Sequence, residues 1–393
     1  MTKVRFLVVG LAMVAAFSSC KKEGCTDPTA TNYDSDAKED DGSCIAATVD
    51  SKYTQPSTYV FTRNNETSVS YSGQTNRLDM LSEMTSYLKS ANTPGTSLDA
   101  TKLLNMYANE NSPWSTADLN ESSKQLKNKT AGGDASIQAY FEGLMNAAAA
   151  GSDSTVTGQY DGANGKIGVV QSGTKAYLMD AKGMEYTQLI EKGLMGAVFY
   201  HQITNVYLGS GKMDVDNESL VDGKNYTKME HHWDEAFGYF TSAPDFPANG
   251  TDRFWGKYSN SRDGLLGTNS AIMTAYLKGR TAIINKDYTA RDEAIAEIRK
   301  QLERVCAGTA IHYLNSAKAD FADDALRNHT LSEARAFIND LRFGYEPSLS
   351  GAQLDAILAK LGDNNYEVKT ADIDWAIDQL GAIQDLASHK ANL

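Results

Sequence analysis

Apolar residues recur every three to four positions through most of this chain. That spacing gathers them on one face of a helix. It predicts helices near residues 76–91, 98–109, 115–128 and 134–150. It resumes near 184–208, 225–241, 263–286, 288–317, 322–342, 351–361 and 370–389. Two short stretches alternate instead, Thr58 to Thr62 and Thr67 to Tyr71, on either side of Asn64-Asn65. Alternating runs around such a pair predict a hairpin. Residues 151–183 are rich in Gly, Ser, Thr and Asp and read as a long irregular connection. The expectation is an all-α domain over 51–393 with a small N-terminal β-hairpin or irregular segment, and candidate halves at 51–183 and 184–393.

The first residues follow another logic. Lys3 and Arg5 make a positive start, and Leu7 to Phe17 is an apolar run. That run has the length of a signal-peptide core and falls short of the roughly 18 residues that span a bilayer. It ends in Phe17-Ser18-Ser19-Cys20, which resembles a lipobox. Residues 1–19 then read as a lipoprotein signal peptide, with Cys20 as the lipidation site. The alternative is an ordinary secreted protein cut near Ser19. Several acyl chains on one cysteine anchor stably where a single chain does not. The expected location is the outer membrane, on its periplasmic or cell-surface face.

Charge narrows the partners. The chain carries 37 Lys and Arg against 50 Asp and Glu, a formal net charge of −13. Removing Lys3 and Arg5 with the signal takes it to −15 (−13 − 2). Such a surface argues against nucleic acid and against adhesion to anionic lipid headgroups, so an acyl anchor has to hold the protein. Only 7 prolines occur, which suits long helices.

Residues 20–50 form a polar, acidic stalk that has no apolar surface to build a core. Cys25 and Cys44 bracket it and read as a disulfide in an oxidising compartment. The bracketed segment resembles a short acidic module of secreted Bacteroidetes proteins. Asn32, Asp34, Asp36 and Asp40 alternate in a manner compatible with calcium, although the EF-hand glycine and final glutamate are missing. A solvated acidic loop is the other reading. Cys306 falls inside a helical pattern as a buried thiol.

Five of the six histidines lie between residues 200 and 330. His201 follows Leu194 and Val198 at helical spacing, and His312 follows Val305 and Thr309. Each is followed by a helix that opens His-x-x-x-Glu-Ala: His231 to Ala236, and His329 to Ala334. Residues four apart share a helix face, so each His can reach its Glu. The repeated order suggests an internal duplication and two related helical bundles. A helical wheel places Glu333 with Leu326, Phe337 and Leu341, and a buried carboxylate needs a partner. His329 is the nearest. In the first copy His232 borders the apolar stripe more closely than His231.

Imidazole and carboxylate ligands projected into a bundle suit Fe, Zn or Mn. The candidate metal set is His201, His232, Glu235, His312, His329 and Glu333. The competing reading is a core hydrogen-bond network with no metal. His-Glu-x-x-His and Gly-x-Ser-x-Gly are both absent, so no catalytic motif marks the chain as an enzyme. Gly209-Ser210-Gly211 reads as a helix stop.

Three blocks carry a family resemblance: Glu191 to Gln202, His232 to Phe240 and His329 to Ile338. Together they resemble a Bacteroidetes lipoprotein family whose members carry a domain of unknown function, DUF4856, over roughly residues 50–390. The layout is more distantly similar to imelysin-like proteins, which are all-helical, built from two bundles and linked to iron uptake. Their Gly-x-His-x-x-Glu helix is not reproduced here, since Gly196 stands five residues before His201. That resemblance therefore implies architecture and an envelope role only.

The function expected is a lipid-anchored binding protein for a metal or metal-containing ligand, delivering it to an outer-membrane transporter. A structural lipoprotein with a His/Glu core network comes second. A hydrolase using Glu333 or Glu235 as general base comes last.

Overall fold

The computed structural model describes residues 21–45, 52–156, 161–248 and 252–393. The export segment and Cys20 lie outside them. The chain divides into two compact units, one ending at Lys52 and one spanning Tyr53–Leu393.

In the first unit, Cys25 and Cys44 form a disulfide. Strands β1 (Glu23–Gly24) and β2 (Glu39–Asp40) pair in parallel beside it. The candidate calcium residues are engaged locally. Lys22 lies 2.9 Å from Asp34 and 3.5 Å from Asp36. Asn32 bridges the backbone of Ser43 and Ile45, and Asp40 accepts from the Gly42 amide.

The second unit opens with β3 (Thr62–Arg63) and β4 (Glu66–Thr67), an antiparallel hairpin. Its two-residue turn is Asn64-Asn65, both at positive φ. Asn tolerates that conformation better than most residues, and such turns match the twist of the strands. Helices follow: α1 (Ser72–Ser90), α2 (Ala100–Ala108), α3 (Ala117–Glu121) and α4 (Ala135–Val156). The helix expected at 115–128 stops at Glu121; residues 122–126 are irregular, and a kinked 3-10 stretch follows at Lys127–Gly133.

Residues 151–183 are not all irregular. Strands β5 (Gly168–Ser172) and β6 (Lys175–Met179) form a hairpin with Ser172 opposite Lys175. Gly173 sits at φ +59 in the two-residue turn. The Gly at a turn position was the missed signal.

The next helix, α5 (Tyr186–Leu194), continues as two π-helical stretches, Met195–Tyr200 and Gln202–Tyr207. Apolar residues continue at helical spacing through both stretches, so periodicity alone does not reveal the wider turn. After α6 (Ser210–Met213) and α7 (Lys228–Phe240), the helix expected at 263–286 resolves into α8 (Phe254–Leu266) and α9 (Thr268–Ile284). They part at Gly267, which adopts the left-handed conformation that ends helices. The remainder is α10 (Tyr288–Ala319), α11 (Asp324–Asp340), α12 (Gly351–Lys360) and α13 (Thr370–Leu380).

Short connections make α9, α10 and α11 consecutive packed neighbours. One hydrophobic cluster runs from Tyr59 to Leu393, with Trp233, Trp255 and Phe337 fully buried in it. Helix α11 is buried on every face from Thr330 to Ile338. Its polar side chains must therefore find partners inside the protein.

Candidate functional site

Helices α5 and α11 pack against each other and place the candidate residues. Glu185, the residue before α5, and His329 are 144 positions apart in the chain. Its Oε2 lies 2.5 Å from His329 Nδ1. The other ring nitrogen, Nε2, lies 3.4 Å from Glu333 Oε2, one turn further along α11. Glu333 Oε1 is in turn 3.8 Å from Lys192 Nζ, which pairs with Glu191 at 2.7 Å. Tyr177 of β6 stacks on the imidazole at 4.2 Å between ring centroids. The result is a buried carboxylate–imidazole–carboxylate–ammonium series.

Burial pulls the His329 pKa down, but the hydrogen bond to Glu185 and the charges of Glu185 and Glu333 outweigh it and raise it. Burial raises the Glu333 pKa, and Lys192 and His329 only partly offset that. For Lys192, the charges of Glu191 and Glu333 overcome desolvation and raise the pKa. Lys192 thus supplies the cation that the surrounding carboxylates require.

The cluster continues toward a cavity. The Glu185 amide donates to Ser332 Oγ at 2.9 Å. Asn365 Nδ2 reaches that same hydroxyl at 3.3 Å and the Gly183 carbonyl at 2.9 Å. Asn365 Oδ1 accepts from Arg335 Nε at 2.9 Å. Arg335 lines a cavity of about 620 Å³ between α5, α11 and α12. Met184, Leu189, Ala336 and Leu358 make its apolar walls, and Tyr140, Asn339 and Asp363 contribute polar groups.

The other candidates sit elsewhere. Glu235 accepts from Gln74 at 2.9 Å and from Tyr207 at 3.1 Å. The histidine facing it is His231, with Nε2 3.8 Å from Oε2. His232 turns to Lys212, whose carbonyl is 2.8 Å from Nδ1. Burial lowers the pKa of His201, whose Nδ1 is buried without a partner among the described residues. His312 stands against Tyr313, and burial together with Arg262 lowers its pKa to about 4. Thus His329 and Glu333 meet, while His201, His232, Glu235 and His312 do not join them. Among the described residues, no three His, Cys, Asp or Glu side chains are arranged to hold a metal ion.

Sequence reading missed Glu185, Glu191, Lys192 and Arg335. A signal existed for two of them: Glu191-Lys192 interrupts an apolar helix, and charges inside such a run pair with something buried. Nothing local marks Glu185, because its partner comes from a distant helix.

The Tyr53–Leu393 unit is thus a mostly helical domain with a buried polar network beside a cavity. The family described as a domain of unknown function, DUF4856, matches residues 56–387, and the chain belongs to it. No curated protein and no solved structure matches the chain.

Proposed function

We propose that this chain is a lipid-anchored envelope protein that binds a small molecule. Acyl groups on Cys20 would hold it at the membrane. The cavity between α5, α11 and α12 would receive the ligand, for hand-over to a transporter in the outer membrane. One observation carries this reading: the cavity wall is tied by continuous hydrogen bonds, through Arg335, Asn365 and Ser332, to the Glu185–His329 pair. A mostly apolar cavity with a few polar groups fixed from behind is the usual construction of a ligand site.

The test is mass spectrometry of the purified full chain under native conditions, beside Ala359→Trp. Ala359 is exposed and lines the cavity, so the larger side chain fills the space without disturbing the core. A co-purifying small molecule in the parent, absent from the variant, is the expected result. Retention of the same molecule by the variant would place binding elsewhere.

A second reading, metal capture, has one specific support. A tetrahedral ion with bonds of roughly 2.0–2.1 Å holds adjacent donors about 3.4 Å apart. His329 Nε2 and Glu333 Oε2 stand at 3.4 Å. Glu185 would then orient the imidazole from behind, as outer carboxylates do for metal-bound histidines. Lys192 competes for that position. Elemental analysis of protein purified without chelator decides: near-stoichiometric Fe, Zn or Mn, lost in His329→Ala/Glu333→Ala, supports capture, and its absence leaves a core network.

A further inference from the structure

The ligand's chemistry can be read from the cavity, on the footing that the cavity is the binding site. We propose that it takes an amphipathic monoanion, a carboxylate head on an apolar body. Arg335 is 8 % exposed and lines the cavity, yet its hydrogen bonds go only to neutral oxygens. Among the described residues these are Asn365 Oδ1, the Gly362 carbonyl and the Leu361 carbonyl. Each terminal guanidinium nitrogen carries two N–H groups and bonds one carbonyl among the described residues, so each keeps one donor for a guest.

A nearly buried cation is expensive unless paired. The carbonyls at the end of α12 offset only part of that cost. Desolvation pulls the Arg335 pKa down to about 10, so the side chain stays charged at neutral pH. Two further groups on the wall, the Asn339 amide and the Tyr140 hydroxyl, make no side-chain hydrogen bond among the described residues. An acceptor-only head could take donors from all three.

The rest of the cavity sets the body. Met184, Leu189, Gly193, Ala336 and Leu358 offer carbon and no charge. Asp363, on the same lining, is paired with Lys182. Its charge still acts on Arg335 from nearby, although it makes no hydrogen bond to the guanidinium among the described residues. One guanidinium facing one guest charge, with a carboxylate near, favours a monoanion over a dianionic phosphate.

The experiment measures binding to the purified full chain by calorimetry, with thermal scans alongside. The probes are decanoate, phenylbutyrate, decanol, decyltrimethylammonium and decyl phosphate. The proposal expects at least one carboxylate to bind saturably and the three decyl controls at least roughly tenfold more weakly, the loss expected for a missing charge-assisted hydrogen bond. Asn339→Leu should weaken the carboxylate by about tenfold, and Ala359→Trp should abolish binding. Arg335→Gln should weaken it further; where that variant fails to fold, Asn339→Leu carries the comparison. Equal or tighter binding of decanol, the ammonium or the phosphate, abolished by Ala359→Trp, overturns the carboxylate head and keeps the cavity as a site. Failure of all five probes to bind overturns the proposal, and the native mass spectrum of the purified protein then judges the cavity separately.

Discussion

At the scale of single residues, His329 is held on three sides. Its ring lies between Glu185 and Glu333, with Tyr177 on one face and Lys192 beyond Glu333. A raised histidine pKa means that the folded state holds the proton more tightly than the unfolded chain does. That contribution is complete below the unfolded value of about 6.5 and is lost as pH rises through the folded pKa. Glu333 acts in the same direction. Its folded pKa lies above the ordinary carboxylate value, so folding loses its favour as pH climbs from about 4.5 through that pKa. His329→Gln should therefore cost about 3 kcal/mol near pH 5.5 and distinctly less near pH 8. Chemical denaturation at the two pH values measures it, and an equal cost at both would refute the protonated imidazole. The four-residue spacing of His329 and Glu333 was legible in the sequence. Its second carboxylate was not, because spacing rules describe one helix and Glu185 arrives from another.

At the scale of elements, the π-helical continuation of α5 has an identifiable neighbour. A Cβ on Gly196 would lie 2.1 Å from Asp340 Cγ. Asp340, the last residue of α11, is fully buried, and neither oxygen has a hydrogen-bond partner among the described residues. Burial pushes its pKa well up, with Arg342 and Lys192 offsetting only part. Gly196→Ala should thus destabilise by about 1–3 kcal/mol, in the range of overpacked cores. Asp340→Ala should recover much of that loss, because it empties the space the new methyl needs. A double-mutant cycle of unfolding free energies tests the pair, and simple additivity would show that the two sites are independent. Helix positions were largely legible from periodicity. The π turns were not, since an apolar stripe survives an extra residue per turn, and the β5–β6 hairpin was hidden by polar composition around it.

At the scale of the whole unit, a second buried network ties the N-terminal segment to the helices. Arg280 is fully buried and pairs with Glu230 at 2.9 Å and Asp234 at 3.0 Å. It also donates to the Ser68 carbonyl, while Tyr59 donates to Asp234 and Arg63 pairs with Glu230. One guanidinium from α9 thus holds α7 and residues 59–68 together. Arg280→Leu would leave buried Asp234 with no charged partner among the described residues and Glu230 with Arg63 alone, and should lower stability by roughly 3–5 kcal/mol. Replacing Arg280, Glu230 and Asp234 together with apolar residues should cost less than the single change, and a larger loss in the triple variant would contradict this. None of this network was foreseen, although Glu230 and Asp234 flank the histidines that drew attention. Their i, i+4 spacing with each other gave no hint that an arginine 46 residues beyond Asp234 would join them.

Helix α11 has no solvent face over Thr330 to Ile338. Its amides cannot meet deuterium while neighbouring helices stay in place, so local fraying gives no route to exchange. Their exchange rates should report the opening of the entire Tyr53–Leu393 unit. Occupation of the cavity by any molecule that binds only the folded form should slow them by the full factor of its binding, even at positions the guest never touches.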